Sequence, residues 1–250
     1  MFSIALRDFQ SYFRTPLAYA VLAGFITISG FFFFTMLSQF NSVMLQASVS
    51  PGINPNLNEW VITPFYKTLE IILVFLIPVL TMRSIAEEKR EGTFELLATS
   101  PVSVTAIVWG KYLGVSTALF LMLLCSFIFP LSVIAFADPE IFPTITGFFG
   151  VILFSLMYAA LGIAVSAFTK HQTVAGVVSI VLFLFIYVIH GIGERAGPIG
   201  NKIFTYISPS THSEAIYLGI IASSDIVYFL SAISFGLFLA TRALATQRWR

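Results

Sequence analysis

The chain has 250 residues, of which 58% are hydrophobic and only 10% are charged. A soluble domain carries about 25% charged residues because its surface faces water, and a chain of this length cannot hide so much apolar surface in one soluble core. The composition therefore excludes an ordinary soluble protein, and the net charge of +1 gives no indication of nucleic-acid binding.

Six stretches are long and apolar enough to cross a bilayer as helices, which takes roughly 20 residues each. They are residues 17–40, 65–82, 107–137, 144–168, 173–192 and 226–244. Pro130 lies inside the third stretch and is expected to kink it rather than end it. The sequence thus predicts an all-α integral membrane protein with a single transmembrane domain over residues 1–250.

The basic residues are distributed unequally between the two sides of these spans. If both termini are inside, Lys67, Arg195 and Lys202 lie outside and all other basic residues face the cytoplasm. Because cytoplasmic loops carry the excess of Lys and Arg, both termini are predicted to be cytoplasmic.

Residues 2–14 are predicted to form an amphipathic helix that lies in the cytoplasmic interface. Its large apolar side chains recur at helical spacing, namely Phe2, Leu6, Phe9 and Phe13. We expect these side chains to face the acyl chains until Pro16 turns the chain into the membrane.

The cytoplasmic loop 83–103 is the most charged part of the chain. Residues 83–90 are predicted to extend the second span, Gly92 to stop that helix and Thr93 to cap a short new one. Candidate docking residues for a partner are Glu87, Glu88, Arg90, Glu91, Thr93, Phe94, Glu95 and Leu97. Apolar anchors inside a charged rim are typical of a protein-docking element, but the residues alone equally allow a solvated loop that touches the bilayer.

The outer segment 193–225 is rich in Gly, Ser and Pro, but it contains an apolar patch at residues 215–222. This patch is too short to span, so we predict a short helix that lies at the outer face or dips into it. Ser210 or Thr211 is expected to cap the helix there, which would include His212.

Polar groups in and near the spans suggest few chemical roles. Lys67 and Glu70 have the spacing of an ion pair on one helix face. Glu70 is a candidate for the transport pathway, because intramembrane charge is often functional, although an interfacial position is the alternative. We predict no catalytic residues, metal ligands or bound cofactors in this chain.

Four parts of the chain resemble the permeases of the type-2 superfamily of ATP-binding cassette (ABC) exporters. They are RDFQSYFRTPLAYAV (7–21), IPVLTMRSIAEEKREGTFELLATSPVS (77–103), GKYLG (110–114), and YISPSTHSEAIYLGII (206–221) followed by DIVYFLS (225–231). The closer resemblance is to gliding-motility-associated permeases and to their relatives in nitrous-oxide-reductase maturation.

This resemblance implies a permease subunit in a bacterial cytoplasmic membrane, in which loop 83–103 forms the coupling helix. A separate ABC ATPase would dock on that loop and on helix 2–14, would bind ATP and magnesium, and would drive export. A second permease chain, identical or different, would complete the pathway. In agreement, the chain lacks a G-x-x-x-x-G-K-[ST] phosphate loop, since Tyr112 follows Gly110 and Lys111 and Thr105 occupies the first glycine position.

Two other interpretations remain open. The complex could be a mechanical or regulatory module that acts through segment 193–225 on an envelope partner without moving a solute. A membrane anchor of a redox complex is the third possibility. It would need histidines that face each other at membrane depth, whereas His171, His190 and His212 are predicted at or near the two interfaces.

Overall fold

The computed structural model describes residues 2–14, 16–49, 56–92, 102–137, 139–193 and 197–248. Over these ranges the regular structure is entirely helical. Six helical segments among them are long and apolar enough to cross a membrane. The prediction of an all-α integral membrane protein is thereby confirmed.

The helices of the described residues follow one another along the chain with short connections. They are α1 (Phe2–Arg14), α2 (Pro16–Val49), a π-helical turn (Asn58–Ile62) that runs into α3 (Thr63–Thr81), α4 (Ala86–Arg90), α5 (Val104–Ser126), α6 (Ile128–Ala137), α7 (Ile141–Phe168), α8 (Gln172–Gly193), α9 (Gly197–Ile207), α10 (Pro209–Tyr217) and α11 (Ser223–Arg248). The spans are α2, α3 with its extensions at both ends, α5 with α6, α7, α8 and α11.

Two spans differ in detail from the hydropathy pattern. The second begins at Asn58, earlier than predicted, and the Asn58 side-chain amide donates to the backbone carbonyl of Glu140 at 3.1 Å. The third is interrupted at Phe127, just before Pro130. Proline has no amide hydrogen to donate to the carbonyl of Ser126, so one helical hydrogen bond is lost between α5 and α6, while the span continues through Pro130 to Ala135.

Helix α7 is the central helix of the bundle, and small residues let other helices approach it closely. A Cβ atom placed on Gly236 of α11 would lie 2.9 Å from the backbone carbonyl carbon of Ala160. A Cβ atom on Gly162 would lie 2.3 Å from the Thr81 hydroxyl oxygen of α3. Close backbone approach at small residues is the usual way in which membrane helices pack.

The outer spans present apolar surface outward, as a lipid-facing helix does. Exposed side chains on α2, α8 and α11 include Phe31, Phe34, Val181, Phe185, Phe235 and Phe238. Most of α7, by contrast, is buried between its neighbours.

The outer segment forms two short helices, α9 and α10, rather than the single helix predicted around residues 215–222. Helix α10 ends at Tyr217, and the Ile220 amide donates back to the Ala215 carbonyl at 2.9 Å. Gly219 adopts a φ of 84°, which glycine tolerates without strain. The residue before the helix is Ser208, followed by Pro209, so the predicted caps Ser210 and Thr211 were also wrong.

The contact between α7 and α11 leads to a stability prediction. Replacing Gly236 with Ala forces a methyl group against the α7 backbone, which cannot move aside as a side chain can. We expect Gly236→Ala to cost about 1–3 kcal/mol and to lower the unfolding midpoint of the purified protein in detergent.

The matched control is Gly24→Ala, because a Cβ atom at Gly24 meets nothing within 4 Å. This control should keep or slightly raise the midpoint, since alanine is the better helix former by up to about 1 kcal/mol. Equal midpoints for the two variants would contradict the described packing of α11.

Candidate functional site

Helix α1 packs directly on one end of two spans, α3 and α5. Its backbone approaches α5 at Gly114, where an added Cβ would lie 3.1 Å from the Asp8 Cβ atom and 3.3 Å from the Ala5 carbonyl oxygen. The Tyr12 hydroxyl donates to the Leu80 carbonyl of α3 at 2.9 Å. Burial raises the pKa of Tyr12 well above its usual range. One face of α1 therefore belongs to the protein interior.

The predicted apolar face of α1 is only partly available to lipid. Leu6 is 58% exposed, whereas Phe9 and Phe13 are half-buried and their ring centroids lie 5.0 Å apart. The side chain of Phe2 lies outside the described part of the structure. Because α1 also packs Asp8 and Tyr12 against the spans, its opposite face is fixed to the protein, and the contact of its apolar face with the acyl chains stays a prediction.

A buried lysine lies where α1, α4 and α5 meet. The Lys111 side chain is 4% exposed, and its ammonium nitrogen lies 2.9 Å from Asp8 Oδ2 and 2.6 Å from Glu88 Oε1. Arg7 approaches the same carboxylates, at 2.9 Å from Glu88 and 3.2 Å from Asp8. A buried charge is tolerated when it is paired and hydrogen-bonded. We call Arg7, Asp8, Glu88 and Lys111 the Lys111 network.

The Lys111 network was not predicted as a unit, although two of its members are isolated charged residues in otherwise uncharged or weakly charged helices. Lys111 is the only charged residue of the span Val104–Ala135, and Asp8 is the only acidic residue of helix α1. A lone charge at the edge of a span requires a partner. The sequence does not indicate which of the distant acidic residues supplies it.

The predicted docking residues separate into an inward and an outward group. Glu88 contacts Lys111 and Arg7, so its described contacts are internal. Arg90 and Glu91 are more than half exposed, and Gly92 has a φ of 73°, which ends the helix as predicted. Helix α4 thus forms the base of the loop 83–103.

Four of the predicted docking residues lie outside the described residues: Thr93, Phe94, Glu95 and Leu97. Glu87 is partly buried on α4. Residues 93–101 follow these exposed charges in the sequence.

At the other end of α3, the polar residues pair differently from the sequence-based hypothesis. The Tyr217 hydroxyl donates to Glu70 Oε1 at 2.6 Å, and Glu70 is 1% exposed. Lys67 pairs with Glu214 of α10 at 2.5 Å rather than with Glu70. Glu70 is enclosed by helices of its own chain, so the structure favours a role in joining α3 to α10 over the pathway role that was predicted.

His212 belongs to a second buried polar cluster in the outer segment. Its Nδ1 lies 2.7 Å from Asp225 Oδ1, its Nε2 lies 2.9 Å from the Tyr206 carbonyl oxygen, and its ring stacks on Tyr228. Both ring nitrogens are therefore occupied by protein acceptors. Within the described ranges, no group of three or more His, Cys, Asp or Glu side chains has an arrangement that could hold a metal ion.

The comparisons with known proteins identify one family. Residues 62–244, more than half of the chain, match the family model described as ABC-2 family transporter protein. The match includes α4, Lys111 and the outer helices, and it starts after α1. A comparison with curated proteins finds no match. The finer resemblance to gliding-motility-associated and nitrous-oxide-maturation permeases stays a prediction.

The Lys111 network predicts a specific pattern of stability losses. Lys111→Met removes the buried cation and leaves the Asp8 and Glu88 carboxylates with only the exposed Arg7 beside them. Breaking a buried pair costs up to about 3–5 kcal/mol, and the remaining Arg7 contacts reduce this loss. We expect a lower unfolding midpoint and faster proteolysis of residues 2–14.

Two further variants make this test specific. Neutralising both acids (Asp8→Asn with Glu88→Gln) in the Lys111→Met background should recover much of the loss, whereas Lys170→Met, at an exposed lysine on the same side, should change little. If Lys170→Met and Lys111→Met behave alike, the network does not hold α1 in place.

Proposed function

Because the chain belongs to the ABC-2 transporter family, we propose that it is the permease of an exporter driven by ATP hydrolysis on a separate ATPase subunit. Membership of the family makes the chain a membrane-embedded permease component that is partnered by an ABC ATPase. Export and the route of coupling are our proposal. The Lys111 network supports this route most directly, because it joins the base of the cytoplasmic loop to α1 and to the third span.

The docking surface consists of the coupling loop 83–103 together with α1. Arg90 and Glu91 supply an exposed charged edge, and the sequence adds Phe94 and Leu97 as apolar anchors. Arg7 lies within contact distance of Glu88, so α1 is adjacent to the same edge. ATP and magnesium are held by the ATPase, and this chain contributes no residue to that site.

Coupling then takes the form of a shared rigid movement. When the two ATPase subunits close on ATP, each one displaces its coupling loop, and the Lys111 network makes α1, α4 and α5 move together. The membrane helices have two states that differ in their contact free energy with the ATPase. The change that ATP causes in the ATPase therefore shifts the equilibrium between these two states of the helices.

A second permease chain completes the pathway in this proposal. Six spans form half of a two-chain assembly, and the exposed apolar faces of α2, α8 and α11 leave room for both lipid and a partner. The complex resides in a bacterial cytoplasmic membrane, with both termini of the chain in the cytoplasm.

A second candidate function is a mechanical module that acts on an envelope partner. The observation in its favour is that α3 is joined to structured elements at both ends. It leads into α4 on the cytoplasmic side, and it contacts α10 through the Glu70–Tyr217 and Lys67–Glu214 pairs on the other side. Movement of α3 would therefore reach the outer helices, which an accessory protein could bind.

The docking proposal is tested by co-purification from native membranes. Phe94→Asp places a charge among the proposed apolar anchors, so we expect recovery of the ABC ATPase with the tagged permease to fall at least about tenfold, the loss expected from removing one interface anchor. Lys202→Glu changes a charge on the opposite side of the membrane and serves as the control. Undiminished ATPase recovery with Phe94→Asp would refute docking on this loop.

The proposed topology is tested by cysteine labelling of spheroplasts. In a Cys125→Ala background, a membrane-impermeant maleimide should react with Lys202→Cys without lysis and with Arg90→Cys only after lysis. The reverse pattern would invert the proposed orientation and would place the docking loop out of reach of a cytoplasmic ATPase.

A further inference from the structure

We propose that Ser166, at the cytoplasmic end of α7, is a positioning residue that fastens the base of the coupling loop to the central helix. Through this contact, movement of the loop would pass directly into α7. The inference rests on the proposed function for its role in coupling, whereas the contact itself is a property of this chain alone.

The Ser166 hydroxyl forms hydrogen bonds with three backbone groups of the segment that connects α3 to α4. It accepts from the amides of Ile85 at 3.2 Å and Ala86 at 3.0 Å, and it donates to the carbonyl of Met82 at 3.3 Å. Ile85, the residue that precedes α4, has no side-chain acceptor for the first amides of that helix. A side chain of another span supplies it instead.

Burial makes these hydrogen bonds difficult to replace. Ser166 and Ala86 have no exposed surface, and Ile85 has almost none. Water therefore has little access to the two amides in the folded protein, and a buried backbone donor without a partner is strongly disfavoured. Removing the hydroxyl should open this segment rather than leave it in place.

A second contact ties α4 to the same turn of α7. The Lys89 ammonium donates to the carbonyl oxygen of Ala167. Carbonyls in the last turn of a helix have no partner within that helix, so the Ala167 carbonyl is available to accept. Ser166 and Ala167 therefore hold α4 from both of its ends.

These contacts change which helices the loop can move. Chain connectivity alone links loop 83–103 to α3 and α5, the spans that precede and follow it. The Ser166 contact adds α7, which in turn packs closely on α3 at Gly162 and on α11 at Gly236. Displacing α4 would thus act on the centre of the bundle and not only on its two neighbours in sequence.

The contact is tested first on the purified permease by hydrogen exchange. In Ser166→Ala we expect the Ile85 and Ala86 amides to exchange about tenfold faster, the change expected for loss of one net hydrogen bond. Ser155→Ala is the matched control, because Ser155 is equally buried in α7 but its hydroxyl bonds its own helix at Ile152. Unchanged exchange at both amides in Ser166→Ala would overturn the contact.

The transmission role is tested on the complex with its ATPase in lipid nanodiscs. Adding a non-hydrolysed ATP analogue should alter exchange in residues 160–168 of the wild type and of Ser155→Ala, but much less in Ser166→Ala with the ATPase still bound. An undiminished response in Ser166→Ala would overturn transmission through this residue. Ser166→Cys, which keeps nearly the same shape but carries only a weak hydrogen-bonding thiol, provides the same comparison if Ser166→Ala does not fold.

Failure of the proposed function gives a different result from failure of this inference. If the wild-type permease binds no ABC ATPase, the exporter assignment and the transmission role are both wrong. Hydrogen exchange at the Ile85 and Ala86 amides of the isolated chain still tests whether the Ser166 contact exists. If the ATPase binds but α7 responds equally in all variants, only the inference about Ser166 is wrong.

Discussion

The ammonium of Lys111 lies among apolar helix ends, and its burial constrains the end of the bundle at which α1, α4 and α5 meet. A charge in this position is stable only if acidic groups reach it, and here they come from α1 and α4. Helix α1 must therefore fold back onto α5, and the base of the loop 83–103 must stay beside both. The arrangement makes three separate segments of the chain into one unit at the place where we propose that the partner ATPase docks.

From this unit, two routes lead into the membrane. One follows α3 to the outer helix α10, where Tyr217 hydrogen-bonds Glu70. The other crosses from α4 to α7 through the Ser166 hydroxyl. Helix α7 is then in close contact with α11 because Gly236 carries no side chain. A local displacement at the loop can in this way reach the interior of the bundle through packed contacts.

The sequence predicts the large-scale fold because length and hydropathy act locally along the chain. The six spans, the stop at Gly92 and the interruption near Pro130 are all local effects of this kind. The roles of Glu88 and Glu70 were not predictable, because each depends on residues far away in sequence: Lys111 for the first and Tyr217 for the second. The apolar patch 215–222 was misassigned for a related reason, since hydropathy does not reveal that Gly219 turns the chain there.

The central claim is that α1, α4 and α5 move as one unit when ATP binds. Spin labels at Gln10→Cys of α1 and Arg90→Cys of α4, both at exposed positions, would report their separation by pulsed electron resonance in a Cys125→Ala complex with the ATPase. We predict an unchanged distance with and without a non-hydrolysed ATP analogue, while the distance between Arg90 labels on the two permease chains of one complex changes. A shift or broadening of the Gln10–Arg90 distance on adding the analogue would contradict the account.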